Sequence, residues 1–250
     1  MRQVPMKQRS KGQKRDPQHI KPKFLEEREE VVRKNPVKPL NQKQAEYMEL
    51  IKTKPIVVAT GFPGTSKTYM PMAMAGDAFR TGTINKIILT RPAISSSKSI
   101  GAVPGTAIEK LTMWLGGAIP VLKERIGEAA FEIALTKGDI EFVPLEVIKG
   151  MSINDAFVLC EESSDLTKEE VIKIITRMGR NSTLVLAGDI RQSELRGESG
   201  LNWLSSFIQR HQMQSTFGFV DFNDVNDIVR SEAVKRFIIN LTKDERKGVS

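Results

Sequence analysis

The sequence has few residues of the kinds that crosslink a chain, bind zinc or cross a membrane. Cys160 is the only cysteine, which excludes an intramolecular disulfide, and His19 and His211 are the only histidines. A zinc site built from cysteine and histidine is therefore not expected. No run of 18 apolar residues occurs, so we expect no transmembrane helix. The N-terminus lacks the apolar core of a signal peptide, and these absences together favour a cytoplasmic protein.

Positive charge is concentrated near the start of the chain. Residues 1–24 contain eight lysines and arginines against Asp16 alone, which leaves +7 of the formal net charge of +8. Their few apolar residues show no period, so we expect residues 1–38 to form a basic, disordered tail and linker. Residues 39–250 then form one folded domain. The tail is interpreted either as a solubilising segment or as an arm that contacts nucleic-acid phosphates.

Six apolar runs have the composition of buried strands. Each is continuous rather than alternating, which is typical of strands covered on both faces in a parallel sheet. Helical segments separate most of them, and one begins with a capping box of Thr167 and Glu170 before an apolar face that continues to Met178. This alternation predicts an α/β fold with a mostly parallel sheet, whose ligands bind beyond the carboxyl ends of the strands. The runs are Ile56–Thr60, Lys86–Thr90, Ile140–Pro144, Ala156–Cys160, Thr183–Ala187 and Thr216–Phe222.

A phosphate-binding loop follows the first of these runs and opens a predicted helix from Tyr69 to Arg80. Such a loop points backbone N–H groups and a helix dipole at an anion. Lys67 would pair with the β- and γ-phosphates and Thr68 would place its hydroxyl on Mg²⁺. Ser66 stands where the Walker A pattern has glycine, in a conformation that glycine adopts freely. The alternative is a chance match in a βα turn. The predicted nucleotide contacts are Gly61, Phe62, Pro63, Gly64, Thr65, Ser66, Lys67, Thr68 and Tyr69.

Two adjacent acids end the fourth run. Hydrolysis at a phosphate loop needs one carboxylate to hold the magnesium shell and a second to polarise the attacking water. We assign these roles to Glu161 and Glu162 respectively, although the usual first acid is aspartate. Solvent-facing acids that lead into a helix are the alternative interpretation.

A third polar motif, G-D-x-x-Q, follows the fifth run at Gly188, Asp189 and Gln192. An amide at the position of Gln192 can hydrogen-bond the γ-phosphate or the attacking water, and Asp189 is placed with the nucleotide contacts. The competing interpretation is an ordinary Gly-Asp turn.

The order of these motifs resembles that of the PhoH-like ATPases, which are similar to a lone first RecA domain of superfamily 1 helicases. The resemblance extends from about Leu40 to Leu241. Besides the motifs above, it rests on Gln44 with Tyr47, Leu89–Ala93, Gly101 with Pro104 and Gly105, Gly150–Phe157, Ser199–Leu201 and Asp227–Arg230.

The resemblance implies a three-layer RecA-like P-loop NTPase fold, hydrolysis of ATP with Mg²⁺, and association with RNA or DNA. It implies that Gln44 reads adenine, that Arg230 contributes to nucleotide binding and that Arg91 lies near nucleic acid. Short members of this kind are common in tailed bacteriophages. If the chain is encoded by a phage, the expected cytoplasmic location is the cytoplasm of the host.

We expect a homo-oligomer, assembled either as a ring, such as a hexamer, or as a dimer. We expect no second helicase domain, so a neighbouring subunit would complete the site with an arginine finger. Arg191, Arg196 and Arg230 are the candidates, and the sequence does not distinguish among them.

Three departures from the family pattern bear on turnover. They are Ser66 for glycine, Glu161 for aspartate and Ser164 for glutamine. They leave open a nucleotide-binding protein with little hydrolysis that binds nucleic acid through its tail. A small-molecule kinase is a further alternative, but it needs an acceptor lid that the sequence does not suggest, and G-D-x-x-Q disfavours it.

Overall fold

The computed structural model describes residues 35–92, 117–193, 195 and 197–247, with side chains as far as residue 244. Within these ranges six strands form one sheet, in the order β3-β2-β4-β5-β1-β6, and every pairing is parallel. The strands are β1 (Ile56–Gly61), β2 (Lys86–Thr90), β3 (Ile140–Phe142), β4 (Ala156–Cys160), β5 (Thr183–Ala187) and β6 (Phe217–Phe222).

Eight α-helices lie among the same described residues, and they cover both faces of the sheet. One apolar cluster joins one face of the sheet to α1–α4, and a second joins the other face to α5–α7. The helices are α1 (Gln42–Thr53), α2 (Tyr69–Arg80), α3 (Ala118–Ile126), α4 (Glu128–Lys137), α5 (Leu145–Ile148), α6 (Lys168–Ile175), α7 (Gly200–Arg210) and α8 (Glu232–Lys247). The predicted three-layer α/β fold is therefore confirmed.

Continuous apolar runs became strands because both faces of this sheet are buried. All five residues of β4 are buried, as are four of the five in β2 and in β5. Such burial stabilises the sheet by about 25 cal/mol for each Å² of apolar surface removed from water. The predicted capping box also forms, with the Thr167 hydroxyl accepting from the backbone of Glu170 and the Glu170 carboxylate accepting from the backbone of Thr167.

The structure corrects four element boundaries. β1 continues to Gly61, one residue beyond the predicted Thr60. β3 ends at Phe142 rather than at Pro144, because proline has no N–H for a strand ladder and here lies at the N-cap of α5. β6 begins at Phe217, one residue later than predicted. α6 ends at Ile175, so Met178 does not continue its apolar face and instead forms an isolated bridge with Ile153.

Several expectations fall on residues outside the described ranges. They concern most of the tail, Ala93, the glycines and proline at 101–105, and Arg196. Residues 36–39 adopt no regular secondary structure. No helix in the described part of the chain combines the length and apolarity needed to cross a bilayer.

Candidate nucleotide-binding site

A cleft of about 500 Å³ lies beyond the carboxyl ends of β1, β4 and β5. The loop after β1, the acids after β4 and the turn after β5 meet there, because parallel strands end at the same edge of the sheet. Its described lining residues are Pro63, Gly64, Thr65, Ser66, Lys67, Thr68, Tyr69, Gly117, Val121, Glu161, Glu162, Ala187, Gly188, Asp189, Gln192, Val229 and Arg230. Of the predicted nucleotide contacts, Gln44, Gly61 and Phe62 are not among them, and neither is Arg91.

The two glycines of the phosphate loop are required by close approaches of other chain segments. Gly61 has φ +115°, and a Cβ atom on it would lie 2.3 Å from the carbonyl oxygen of Phe222. Gly64 has φ +75°, and a Cβ atom there would lie 2.6 Å from Cγ of Arg230. The Val229 N–H also donates to the Gly64 carbonyl, with N and O 2.9 Å apart. The loop is thus bound to β6 on one side and to residues 229–230 on the other.

Ser66 adopts the left-handed conformation that its position in the loop was expected to demand. Its φ is +71°, a region that costs a residue with a Cβ atom about 1–2 kcal/mol. Its hydroxyl accepts a hydrogen bond from Nε2 of Gln44 at 3.4 Å. The serine is therefore accommodated by a neighbour on α1 rather than by relaxation of the loop.

Lys67 folds back onto its own loop. Its ammonium donates to the carbonyl oxygens of Gly61 at 2.7 Å and Phe62 at 2.6 Å. Burial lowers the pKa of Lys67 to about 8, against the opposing influence of the nearby Asp189 carboxylate. The ammonium is still mostly protonated at pH 7. The Lys67 ammonium is thus poorly hydrated and held by backbone carbonyls. It can exchange these carbonyls for the phosphate oxygens of an anion that enters the cleft.

The Thr68 hydroxyl and the Glu161 carboxylate lie together in the cleft, and both carry oxygen atoms of the kind that bind a metal ion. Burial raises the pKa of Glu161, while a hydrogen bond from the Thr68 side chain and the nearby Arg91 guanidinium lower it. The Thr68 hydroxyl makes no capping hydrogen bond to α2, although Thr68 is the N-cap residue. Gly117 lies beside both, since a Cβ atom on it would be 3.9 Å from Oε1 of Glu161.

This donor set fits Mg²⁺. The ion prefers oxygen ligands and usually keeps waters and substrate phosphates alongside one or two protein groups. Within the described ranges, no cluster of three or more histidine, cysteine, aspartate or glutamate side chains could hold a metal by itself. The hydroxyl of Thr68 and the carboxylate of Glu161 are therefore suited to an ion that arrives with phosphate.

Glu162 directly follows Glu161 and has a strained backbone. Its φ is +50° and its ψ is +36°, and its carbonyl accepts from the N–H of Asp165 at 3.0 Å. Non-glycine residues in left-handed conformations concentrate at functional sites, where the surrounding structure maintains the strain. Ser66 and Glu162 are two such residues, and both line this cleft.

Arg191 is bound within its own subunit. Its guanidinium contacts both carboxylate oxygens of Asp189, at 3.1 and 3.3 Å, and lies 3.8 Å from the centre of the Phe62 ring. Asp189 is buried and its Oδ1 also accepts from the Arg191 backbone at 3.2 Å. Gln192 follows in the same short 3₁₀ turn and lines the cleft. Of the described finger candidates, Arg230 reaches the cleft whereas Arg191 pairs with Asp189.

Ser164 has a role that the sequence did not reveal. Its carbonyl oxygen accepts from the hydroxyls of Ser193 at 3.0 Å and Ser199 at 2.7 Å. A Cβ atom on Gly188 would lie 2.4 Å from the Ser164 backbone nitrogen. The turn after the acid pair, the G-D-x-x-Q turn and the start of α7 therefore meet at one peptide. Ser199 and Gly188 were the available signals, but their acceptor is a backbone group with no sequence signature.

The segment Gly150–Phe157, which also supports the resemblance, lies mostly at the opposite edge of the sheet. The Asn154 carboxamide oxygen accepts from the N–H of Arg180 at 2.9 Å, and Asn181 donates to the Asp155 carboxylate at 3.0 Å. These side chains precede β4, whereas the cleft follows it. They bind the loop between α6 and β5 and do not contact the cleft.

Gln44 is fully buried beneath the phosphate loop. Its Oε1 accepts from the Leu40 N–H at 2.8 Å, and its Nε2 is 3.4 Å from the Ser66 hydroxyl and 3.5 Å from the Thr65 carbonyl oxygen. Tyr47, one turn further along α1, donates to the carbonyl of Lys67 at 2.9 Å. Both side chains therefore support the loop from the side away from the cleft.

A parallel α/β sheet with a strand–loop–helix cradle, a lysine, a hydroxyl and an acidic strand end defines the P-loop NTPase class of folds. The family model described as "PhoH-like protein" matches residues 36–242, most of the chain. The chain belongs to the PhoH-like family.

Relatives in this family are about 30% identical to the chain over the residues that align. The chain is 31% identical over 220 residues to a PhoH-like protein of Mycobacterium tuberculosis strain H37Rv. That alignment covers 84% of this chain and 59% of the relative. The chain is 32% identical to a PhoH-like protein of Bacillus subtilis strain 168, with 78% and 60% covered. Protein PhoH of Escherichia coli K12 is 30% identical, with 81% and 57% covered. The chain thus spans about 60% of the length of these three relatives.

A solved structure with a similar fold is the large terminase of a thermophilic bacteriophage. The TM-score is 0.50 at 14% sequence identity, over 80% of this chain and 50% of the terminase. At this identity the likeness supports the fold alone.

Proposed function

We propose that the protein binds ATP with Mg²⁺ in the cleft and hydrolyses it. The convergence of Lys67, Thr68, Glu161, Glu162 and Gln192 on one cleft is the observation that carries the proposal. Bound Mg²⁺ would neutralise charge on the β- and γ-phosphates. The hydroxyl of Thr68 and the carboxylate of Glu161 would hold that ion, and the family relationship agrees with this assignment.

In the proposed reaction, water attacks the γ-phosphorus while Glu162 accepts one of its protons. The bond from the γ-phosphorus to the β–γ bridging oxygen breaks, and ADP and phosphate leave. Lys67 stabilises the negative charge that builds on the phosphate oxygens, and Gln192 orients the water or the γ-phosphate.

Steady-state hydrolysis by the purified chain, with Glu162→Gln as the variant, tests this proposal. The substitution preserves side-chain size and removes only the base, so ATP should bind normally while turnover falls by about 10²–10⁴-fold. Glu161→Asp should not reduce turnover, because aspartate is the usual residue at this position. Loss of turnover in Glu161→Gln but not in Glu162→Gln would reverse the two acid assignments.

A nucleotide-binding protein with little turnover is the second candidate. The left-handed Ser66 and the longer Glu161 side chain at the magnesium position favour it. The two candidates differ in one measurement, since tight ATP binding without phosphate release by the unsubstituted protein supports the second and opposes the first.

We further propose that nucleic acid binds through residues 1–24 and couples to this site. The +7 charge of that segment is the supporting observation, because clustered cations gain affinity by releasing counterions. Deletion of residues 1–24 should leave basal hydrolysis intact and weaken RNA or DNA binding equally for all sequences. The slope of log affinity against log salt should fall by about four to seven units for a duplex. An unchanged slope would move the site to the core, near Arg91.

We also propose that copies of the chain associate through α8. Val234, Phe237 and Leu241 form an exposed apolar stripe there, and Phe237 is 68% exposed. Ile238, on the same helix, packs against Phe62 of the phosphate loop, so a second copy bound to α8 would lie next to the cleft that an arginine finger must reach. Phe237→Glu should shift the sedimentation coefficient to that of a monomer, whereas Ile133→Glu on α4 should not. A monomeric unsubstituted chain would contradict this arrangement.

A further inference from the structure

The side chain of Phe62 joins the phosphate loop to the C-terminal part of the chain. It is 2% exposed and packs in one apolar cluster with Ile228 and Ile238. The Arg191 guanidinium lies 3.8 Å from the centre of the same ring. One ring therefore contacts the segment that leads into α8, α8 itself and the G-D-x-x-Q turn.

The backbone carbonyl of Phe62 is one of the groups that hold Lys67. The ammonium of Lys67 has three N–H donors. They reach the carbonyl oxygens of Gly61 at 2.7 Å and Phe62 at 2.6 Å, and the Thr65 hydroxyl at 3.4 Å. Because each donor is in use, Lys67 must give up at least one of these contacts to bind a phosphate oxygen.

A second path leads from Lys67 to the same ring through Asp189. Burial lowers the pKa of Lys67, and the nearby Asp189 carboxylate opposes that shift. Asp189 also pairs with the Arg191 guanidinium that lies on Phe62. A phosphate that draws Lys67 towards itself therefore changes the charge next to Asp189, and both the backbone and the ring of Phe62 contact groups that this change affects.

On the other side of Phe62, α8 is held by little buried surface. Of the α8 side chains that the structure describes, only that of Ile238 is buried, and the neighbouring Phe237 is 68% exposed. The Val229 N–H, just before the helix, donates to the Gly64 carbonyl at 2.9 Å. Segments with few buried apolar contacts open at low free energy. A change at Phe62 is therefore sufficient to alter how firmly α8 is held.

We infer that Phe62 is a positioning residue that transmits nucleotide occupancy to α8. When Lys67 moves from the Phe62 carbonyl to a phosphate, Phe62 loses a contact that fixes its backbone where its ring meets Ile238, and α8 is held less firmly. The inference rests on the proposed nucleotide site and names its regulation. Nucleotide loosens α8, and loosening of α8 strengthens nucleotide binding by the same factor. The exposed apolar stripe lies on this helix, so association of copies through it would respond to nucleotide.

Amide hydrogen exchange on the full chain, with and without Mg²⁺ and a non-hydrolysable ATP analogue, tests the inference. With the analogue, exchange in α8 should become faster by about fivefold or more, a usual size for coupling between two sites. Exchange in residues 61–68 should slow, and α7, which packs in the other apolar cluster, should not change. Unchanged or slower exchange in α8, with slowing at 61–68, overturns the inference and leaves the nucleotide site standing. No change in either segment overturns both.

The same comparison in a Phe237→Glu protein separates this response from association of copies. Phe237 is exposed, so its substitution leaves the contact between Phe62 and Ile238 in place. The variant lacks the apolar stripe through which copies are proposed to associate. A faster exchange in α8 that persists in this variant belongs to the contact with Phe62. A response that disappears would assign the effect to association and refute the inference.

Ile238→Ala gives a readout that a general structural defect would not give. The substitution weakens the contact of α8 with Phe62, so α8 should exchange rapidly with or without the analogue. Affinity for the analogue should rise by about 2–5-fold, because less packing has to be given up on binding. Asn240→Ala, an exposed change on the same helix, is the matched control and should alter neither measurement. Unchanged or weaker binding by Ile238→Ala contradicts the coupling.

Discussion

The opposite edges of the sheet both carry polar residues with strained backbones. The edges differ in what surrounds those residues, which is a hydrogen-bonded partner at the amino edge and a cleft with ionisable groups at the carboxyl edge. At the amino edge, Asp155 and Asn181 have φ near +50° and hydrogen-bond each other. At the carboxyl edge, Ser66 and Glu162 are similarly strained, yet ionisable groups converge there in a cleft. Burial lowers the pKa of Lys67 and raises that of Glu161 in this cleft. Strain alone therefore does not mark a functional site, whereas strain together with buried, convergent charges does.

Of the substitutions that distinguish the two edges, replacement of Lys67 should have the largest effect on ATP affinity. Lys67→Ala removes the cation that the loop positions against the β- and γ-phosphates, so ATP affinity should fall by about 10²-fold or more, as expected for loss of a buried charged partner. Equilibrium titration with a fluorescent ATP analogue measures it. Asn154→Ala at the amino edge is the matched control and should leave affinity unchanged. Unaltered affinity in a folded Lys67→Ala protein would exclude the phosphate-loop assignment.

The pH dependence of nucleotide affinity should follow Lys67. Because burial lowers its pKa to about 8, the free protein loses this cation as pH rises through 8, and ATP affinity should fall above that pH. The limiting decline is about tenfold per pH unit. Lys67→Arg should remove the decline, because arginine stays charged. A pH profile that is flat between about 7 and 9.5 in the unsubstituted protein would contradict a lowered pKa.

The free energy of unfolding should rise with pH over the range in which ATP affinity falls. The unfolded chain has the ordinary lysine pKa of 10.5 and binds more protons than the folded chain between pH 8 and 10.5. The contribution of Lys67 to the free energy of unfolding therefore increases across this window. This contribution is smallest below pH 8, where binding of phosphate is strongest, as expected for a group placed for function.

At the amino edge the expected effect is on stability. Asn154→Ala removes the acceptor for the exposed Arg180 N–H, so the free energy of unfolding should fall by about 0.5–1.5 kcal/mol. Chemical denaturation measures this change, and the rate of ATP hydrolysis per folded molecule should not change. A reduced turnover number at unchanged folded fraction would mean that the two edges are coupled.

The sequence predicted those parts of this comparison that depend on chain order. Continuous apolar runs identify strands buried on both faces, and polar residues after such strands must meet at one edge, as Lys67, Glu161 and Gln192 do. Ser66 was expected to be strained because a glycine normally occupies its position, and its φ of +71° agrees.

Contacts between distant segments could not be predicted in the same way. The Ser164 carbonyl binds two serine hydroxyls, and the Arg191 guanidinium, which follows β5, lies on the ring of Phe62, which follows β1. The contacts of Gln44 with Thr65 and Ser66 likewise depend on how α1 packs against the loop. Each case needs a three-dimensional neighbour that sequence spacing does not identify.

The smallest expected effect concerns the strain at Ser66 itself. Ser66→Gly relieves a left-handed conformation that costs about 1–2 kcal/mol. Glycine also has more freedom in the unfolded chain, which offsets about 0.5–1 kcal/mol of that gain. The long contact from Gln44 is lost too, so a net stabilisation of about 0.5 kcal/mol follows from these terms. Chemical denaturation with an unchanged m-value would report it.

Ser66→Ala is the matched control for that measurement. Alanine keeps the Cβ atom and therefore the backbone strain, but it loses the hydroxyl that faces Gln44. It should destabilise the protein by about 0.3 kcal/mol, less than an ordinary hydrogen bond contributes, because the two atoms are 3.4 Å apart. Opposite signs for the two variants would locate the cost in the backbone. Destabilisation by both would assign the larger contribution to the hydroxyl, and the loop at the carboxyl edge would then be held by a side-chain contact, as the turn at Asp155 and Asn181 is.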